Sequence, residues 1–305
     1  MFKRILVPLD GSKLAESVLP TALDLAKHYH STLILFHVLE KDVPTSIHGQ
    51  YHLGKLDEAR EYLESLSDHF VADGIRVEID LHEPRQTDVA RSISEHAREL
   101  RADLIILCAH GYGGLRDIII GSIAQQVIYL ETIPVLLIRP DQVKNDSIEG
   151  FKTILVPLDG NPVHESALPI ATSLALKYGA DLRLLSIVPT SEHLKSKEAA
   201  IGRILPASTL LSLDLSAQES KEYLKKIAFE FSNQGVYVSG QVVRGNVVSR
   251  ILETVKLEKI DLVVMASFGH RNFDAFWEES TTPKVLTKSS APVLIMKETK
   301  GEQME

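Results

Sequence analysis

Short runs of aliphatic and β-branched residues alternate along this chain with longer stretches whose apolar positions recur at three- and four-residue spacing. In the first 140 residues the short runs are Ile5–Pro8, Leu33–Val38, Ile75–Leu81, Leu104–Cys108 and Val135–Arg139. The helical stretches between them are Lys13–Tyr29, Lys55–Asp73, Asp88–Leu100 and Ser122–Glu131. Nearly continuous Val/Ile/Leu runs predict strands buried on both faces, as in a parallel sheet with helices above and below. Strict strand–helix alternation with right-handed crossovers predicts a doubly wound, five-stranded α/β domain. Ser12 and Thr87 stand where helix N-caps are expected, and Gly74 where the second helix stops.

The pattern then starts again. Ile-Leu-Val-Pro-Leu-Asp-Gly at 5–11 recurs at 154–160, and Glu16-Ser17-Val18-Leu19-Pro20 is echoed by Glu165-Ser166-Ala167-Leu168-Pro169. Asp103-Leu104-Ile105-Ile106 matches Asp261-Leu262-Val263-Val264, and Pro134-Val135-Leu136-Leu137-Ile138 matches Pro292-Val293-Leu294-Ile295-Met296. Two tandem α/β domains, 1–140 and 151–298, are therefore expected, with Asp141 to Gly150 as linker. The second copy carries an apolar insertion around Pro189 to Leu215.

Charge narrows the function. The net charge is −8, with 15 Lys+Arg against 23 Asp+Glu in residues 1–150 and 18 of each in residues 151–305. No basic stripe is available for a nucleic-acid backbone or an anionic membrane, so neither is an expected partner. No apolar run reaches the roughly 18 residues of a membrane helix, and Pro8 and Asp10 cut the N-terminal run too short for a signal peptide. A single cysteine, Cys108, suits a cytoplasmic protein.

An open sheet of this kind places its ligand crevice beyond the carboxyl ends of its strands. The first strand ends in Pro8-Leu9-Asp10-Gly11, which brings a carboxylate there. The fourth runs into Cys108-Ala109-His110-Gly111-Tyr112-Gly113-Gly114-Leu115-Arg116 and on to Gly121-Ser122, at the predicted start of the fourth helix. Glycines let backbone N–H groups approach an anion, and a serine at a helix N-terminus adds a hydroxyl to the positive end of the dipole. Such a loop holds phosphate without the lysine of a Walker motif. The plainer reading is a tight turn over the sheet edge.

Gly111, the nine residues Tyr112 to Ile120, and Gly121-Ser122, together with the Leu-Val-Pro-Leu-Asp start and the Pro-Val-Leu-Leu-Ile end, resemble the universal stress protein family across both halves of the chain. The resemblance implies an adenine-nucleotide alpha-hydrolase-like fold of strand order 3-2-1-4-5. It also implies that the last strands of the two copies pair, as an intramolecular pseudo-dimer, and leaves room for a further homodimer. By the same resemblance Pro8, Leu9, Asp10 and the backbone at Val38 would hold adenine and ribose. Gly111, Gly113, Gly114, Gly121, Ser122 and the amide of Ile123 would hold the phosphates of ATP, ADP or AMP, with any Mg2+ carried by the nucleotide. His110, inside the loop, would support its geometry, and Arg116 would either reach a phosphate or, as is commoner for arginines on such loops, stay solvated. One position departs: the first glycine of the family pattern is Cys108 here, and its side chain would crowd the strand end.

The second copy breaks the pattern. Its matching stretch keeps Gly269, places Glu279 where the first copy has Gly121, and carries Phe268, Phe273, Phe276 and Trp277. A carboxylate at a helix start competes for the site a phosphate would use. The second copy is therefore expected to be mainly structural, although Asp159 is retained. Its insertion (Ile201, Ile204, Leu205, Leu210, Leu211, Leu213) is expected to pack on those aromatics and close the site; a surface for a protein partner or apolar ligand is the alternative.

Nine of the twelve histidines lie in the first half. His48 and His52 are four apart but lack a third ligand, and Pro44 to Gly54 reads as a loop, so no metal site is expected. Cys108, at a buried strand end, reads as an inert thiol, and no nucleophilic set can be assembled. The expected function is a stress-response regulator that binds an adenine nucleotide in its first copy and is not an enzyme, any ATP hydrolysis being slow. The rival from another class is an interaction scaffold without nucleotide.

Overall fold

The computed structural model describes residues 1–39, 46–47, 50–51, 53–83, 88–109, 120–142, 150–194, 196–268 and 272–298. The chain divides into two compact units, residues 1–150 with the final strand, and residues 151–291.

The first unit runs β1 (Arg4–Pro8), α1 (Lys13–Glu16), α2 (Leu19–Tyr29), β2 (Thr32–Val38), β3 (Ser46–Ile47), β4 (Gln50–Tyr51), α3 (Leu56–Ala72), β5 (Arg76–His82), α4 (Val89–Glu99), β6 (Leu104–Cys108), α5 (Ser122–Leu130) and β7 (Val135–Ile138). Its five long strands lie parallel in the order β5-β2-β1-β6-β7, the expected 3-2-1-4-5. Ile5, Leu6 and Val7 of β1 and Leu33 to Phe36 of β2 are fully buried, which is why these runs lack polar alternation.

The second unit repeats the plan: β8 (Thr153–Pro157), α6 (Ala167–Tyr178), β9 (Asp181–Val188), α7 (Ser196–Ile204), α8 (Pro206–Ser232), β10 (Val238–Arg244), α9 (Val247–Leu257), β11 (Leu262–Phe268), α10 (Phe273–Glu279) and α11 (Thr281–Lys288). Its sheet order is β10-β9-β8-β11. The last strand, β12 (Val293–Glu298), belongs to the first unit and pairs antiparallel with β7, Val293 facing Leu137 and Ile295 facing Val135. That pairing of last strands is the one the resemblance implies, and it covers the apolar edge of β7.

The repeated aspartates have a structural task. Asp103 accepts from the amides of Lys3 (2.7 Å) and Arg4 (3.1 Å), and Asp261 from those of Lys152 and Thr153 (both 2.9 Å). In each copy the carboxylate that opens the fourth strand thus fixes the start of the first.

The first predicted helix is interrupted. Pro20 has no N–H to return to Glu16, so the run splits into α1 and α2, and the Ser17 hydroxyl donates to the Leu14 carbonyl at 2.6 Å. The second copy does the same at Pro169, with Ser166 donating to Val163. Ser12 caps α1 as expected, accepting from the Ala15 amide at 3.1 Å, and Gly74 follows α3 at φ +81°. Asp88, not Thr87, caps α4; Thr87 lies outside the described residues. The segment read as a loop contains the short antiparallel pair β3–β4.

Candidate functional site

The carboxyl ends of β1 and β6 lie side by side in the first unit, because Ile5 and Leu6 pair with Leu104 and Ile105. Beyond β1 the backbone is held by β2: the Leu9 amide donates to the Phe36 carbonyl at 2.8 Å, and the buried His37 ring lies 2.7 Å from the Leu9 carbonyl. Gly11 then turns the chain at φ +84°, with the Leu53 side chain seated against it; a Cβ there would stand 2.7 Å from Leu53 Cγ. Asp10, half-buried, accepts from the Ser12 amide at 2.9 Å, the bond that orients its carboxylate over the turn.

Cys108 ends β6 as a buried side chain, its Sγ 3.5 Å from Ser17 Oγ. Burial, with some help from the charge on Asp10, pushes the thiol up to about 11 against a modest pull from Ser17. The thiol is therefore protonated at neutral pH, in keeping with the inert reading.

One tyrosine in each copy, passed over in the sequence, bonds to the glutamate that follows the repeated turn. The Tyr62 hydroxyl donates to Glu16 Oε1 at 3.2 Å, and burial, with the charges of Glu16 and Asp10, raises its pKa far above the usual tyrosine value. Tyr223 does the same to Glu165 at 3.0 Å in the second copy. A signal was available: Glu61-Tyr62-Leu63 recurs as Glu222-Tyr223-Leu224.

α5 starts at Ser122, with Gly121 as N-cap residue and no side-chain cap. Ser122 and Ile123 are exposed. The first turn is closed by the Gln125 amide donating to Gly121, while the Gln125 side chain donates to the Ile120 carbonyl at 2.9 Å. A helix start without its own side-chain cap leaves backbone donors for another acceptor. Val38 is buried at the end of β2, and Pro8 is half-buried at the end of β1. The structure thus brings Pro8, Leu9, Asp10, Val38 and Cys108 to one edge of the sheet. His110, Gly111, Gly113, Gly114 and Arg116 lie outside the described residues, as do His48 and His52.

The second copy differs at each of these points. Asp159 accepts from the Asn161 amide at 3.0 Å, as Asp10 does from Ser12, but its Oδ1 is also 2.8 Å from His164 Nδ1. The partial desolvation of the exposed carboxylate is outweighed by that contact and the backbone bond, so Asp159 lies below the usual range, while the carboxylate raises His164. Within the stretch that matches the first copy's loop, Phe273–Glu279 form α10, capped by Asn272, which accepts from the Ala275 amide at 2.8 Å. Glu279 is the last residue of α10 and precedes Ser280, the N-cap of α11, so it does not itself start the helix as expected. Phe276 is buried and stacks edge-on against Trp277, their centroids 5.4 Å apart.

The insertion does not pack away as expected. α8 lies on β9 and β10, burying Leu213 and Ala217 against Val188 and Val242. Ile201, Ile204, Leu205, Leu210 and Leu211 remain exposed, Ile204 by 77%. Among the described residues no cluster suited to a metal ion is present, and no helix is long and apolar enough to cross a membrane.

A doubly wound α/β domain made twice, each copy carrying an aspartate beyond its first strand, defines a tandem protein of the open-sheet, ligand-crevice class. The model of the universal stress protein family matches residues 1–139 and again 150–297, and the chain belongs to that family. Among curated relatives it is similar to universal stress protein YxiE of Bacillus subtilis, 30% identical over 151 residues that cover 46% of this chain and all of that protein. It is also similar to universal stress protein Sll1654 of Synechocystis, 32% identical over 138 residues, covering 45% of this chain and 86% of that protein. Over the whole length its fold matches the crystal structure of a universal stress protein from Archaeoglobus fulgidus, with a TM-score of 0.68, 18% identity, and coverage of 96% of this chain and 98% of that one.

Proposed function

We propose that this universal stress protein is a cytoplasmic stress-response regulator whose first copy binds ATP or a related adenine nucleotide. The observation that carries the reading is the sheet edge where Asp10 is oriented beside the end of β6 while α5 begins at Ser122, behind Gly121, without a side-chain cap. In this proposal Pro8, Leu9, Asp10 and the Val38 backbone take the nucleoside. The Gly111–Gly121 loop, Ser122 and the Ile123 amide take the phosphates and any Mg2+ that accompanies them. Cys108 fills space that a glycine would leave open and lowers affinity. Binding alters a surface read by a protein partner, and any hydrolysis is slow, for want of a dedicated base.

The second copy, with Asp159 engaged by His164, is mainly structural in this proposal. Mass spectrometry of small molecules released from freshly purified protein tests the reading. Co-purifying ATP, ADP or AMP supports it, and an empty protein that also ignores millimolar ATP overturns it. A second reading, an interaction scaffold without nucleotide, is favoured by the exposed aliphatic residues of α7 and α8, a surface rich enough in apolar side chains to seat a partner.

A further inference from the structure

Away from the β1–β6 edge, three titratable side chains form a linear chain between β5 and α4. His96 Nδ1 lies 2.7 Å from Asp80 Oδ2, and His96 Nε2 lies 2.8 Å from His82 Nδ1. The two imidazoles are 4.3 Å apart at 59°, and His96 also rests on the buried Phe36 ring at 4.9 Å. His96 spends one nitrogen on each neighbour, so the three residues do not converge on a common point as metal ligands would. They form a relay.

Proton counting gives the relay two states. An ionised carboxylate only accepts, so His96 Nδ1 carries its hydrogen. The contact between the two rings then needs one hydrogen shared by two nitrogens. With no extra proton, His82 donates to His96. One extra proton, on either ring, still leaves a single N–H···N bond. A second puts a hydrogen on both facing nitrogens, so the bond is lost and two cations confront each other.

We propose that Asp80, His96 and His82 are a proton-operated latch that holds the carboxyl end of β5 to α4 and releases it on uptake of the second proton. The latch reaches the strand ends directly. His82 pairs with Val38, and its carbonyl accepts from the Leu39 amide at 2.9 Å. Other charges nearby are accounted for. Glu95 and Glu99 of α4 and Asp80 of β5 act on His82 as stabilising carboxylates, and Glu95 is itself paired with Arg91. On β5 Glu78 is held by Arg4 of β1, and on α4 Arg98 turns to Glu131. Burial and the adjoining His96 outweigh the carboxylates and hold His82 below the usual histidine range, as a reluctant second proton requires.

The second copy provides an internal control. Phe36, opposite Pro8, pairs with Asp80, and Leu185, opposite Pro157, pairs with Gln241. Gln241 and Val243 therefore stand for Asp80 and His82. Thr254, eight residues after the cap Asn246, stands for His96, eight after Asp88. None of the three titrates. Beside Thr254 is a cleft of about 300 Å³ lined by Arg183, Ser239, Gln241 and Glu258, where the first copy has the larger imidazole. The latch belongs to one copy only.

Histidine ring NMR of the full chain, read from pH 4.5 to 8, tests this inference independently of any nucleotide. In the wild type His82 and His96 should titrate as a coupled pair, the lower step at least about one pH unit below that of His82 in a His96→Gln variant. Exchange of the Leu39 amide, corrected for its intrinsic pH dependence, should accelerate through the lower step in the wild type and not in the variant. Should His96→Gln fail to fold, His82→Gln removes only the outer ring, and His96 should then titrate in one step with Leu39 exchange indifferent to that step. Two rings that titrate singly, each unmoved by loss of the other, would overturn the latch. So would a Leu39 exchange profile identical in wild type and variant.

Discussion

His164 Nδ1 stands 2.8 Å from Asp159 Oδ1, so the aspartate of the repeated Ile-Leu-Val-Pro-Leu-Asp-Gly is an ion-pair partner in the second copy. In the first copy the residue at the corresponding place, two past the turn helix start, is Ala15, so Asp10 shares the backbone bond of its counterpart but not the histidine. The raised histidine contributes stability below its unfolded value near 6.5 and loses it as pH rises through its folded value. The lowered aspartate contributes above 3.8 and loses it as pH falls through its own. A His164→Gln variant should therefore be less stable than wild type chiefly between those limits. The difference should stay below about 1 kcal/mol, since the carboxylate is largely exposed. Urea unfolding at pH 5.5 and pH 8.5 measures it; an equal difference at both would contradict the pair.

Gly11 and Gly160 occupy the same turn at φ +84° and +81°, but only Gly11 has a side chain, Leu53, packed where a Cβ would go. Gly160→Ala should cost about 1–2 kcal/mol for the left-handed conformation alone. Gly11→Ala should cost about 1–3 kcal/mol more because Leu53 has to move. Equal losses in paired denaturation curves would mean that Leu53 does not hold the turn.

Cys108 should be slow to react. A thiol held near 11 instead of 9.0 is about a hundredfold poorer in thiolate at pH 8. Native protein treated with a disulfide reagent should accordingly label at least tenfold more slowly than the same chain in denaturant, burial adding to the effect. Comparable rates would show an accessible, activated sulfur.

Tyr62→Phe and Tyr223→Phe each remove one hydroxyl donor from a glutamate, and each should cost about 1 kcal/mol, or somewhat more, in thermal or urea unfolding. If the first copy is the nucleotide domain, Tyr62→Phe should also weaken ATP binding, because it frees Glu16 at the end of α1, the short helix that follows Asp10. Tyr223→Phe should leave binding unchanged.

The strands were the most legible part of this chain because they are buried on both faces and leave no other use for such runs. The repeat was equally plain, and with it the resemblance that gave the strand order. What escaped has physical causes. The break after Glu16 depends on one missing amide hydrogen at Pro20, which an apolar period does not register. α10 depends on Asn272 as a cap inside a stretch read as a decayed loop. Asp80, His82 and His96 come together only through the register of β5 against α4, so their sequence spacing of two and fourteen residues carries no pattern. The exposed insertion shows the limit of hydrophobicity as a guide. α8 buries Leu213 and Ala217, while neighbouring leucines of the same helix face outward.

In the proposed function the two copies have diverged into one nucleotide-binding domain and one supporting domain. Calorimetric titration of the full chain with ATP in the presence of Mg2+ tests it most directly, run on wild type and on a Gly121→Glu variant that gives the first copy the residue found at Glu279. One site per chain, lost in the variant, is the predicted result. Two sites, a single site that survives Gly121→Glu, or no heat at millimolar ATP would contradict it.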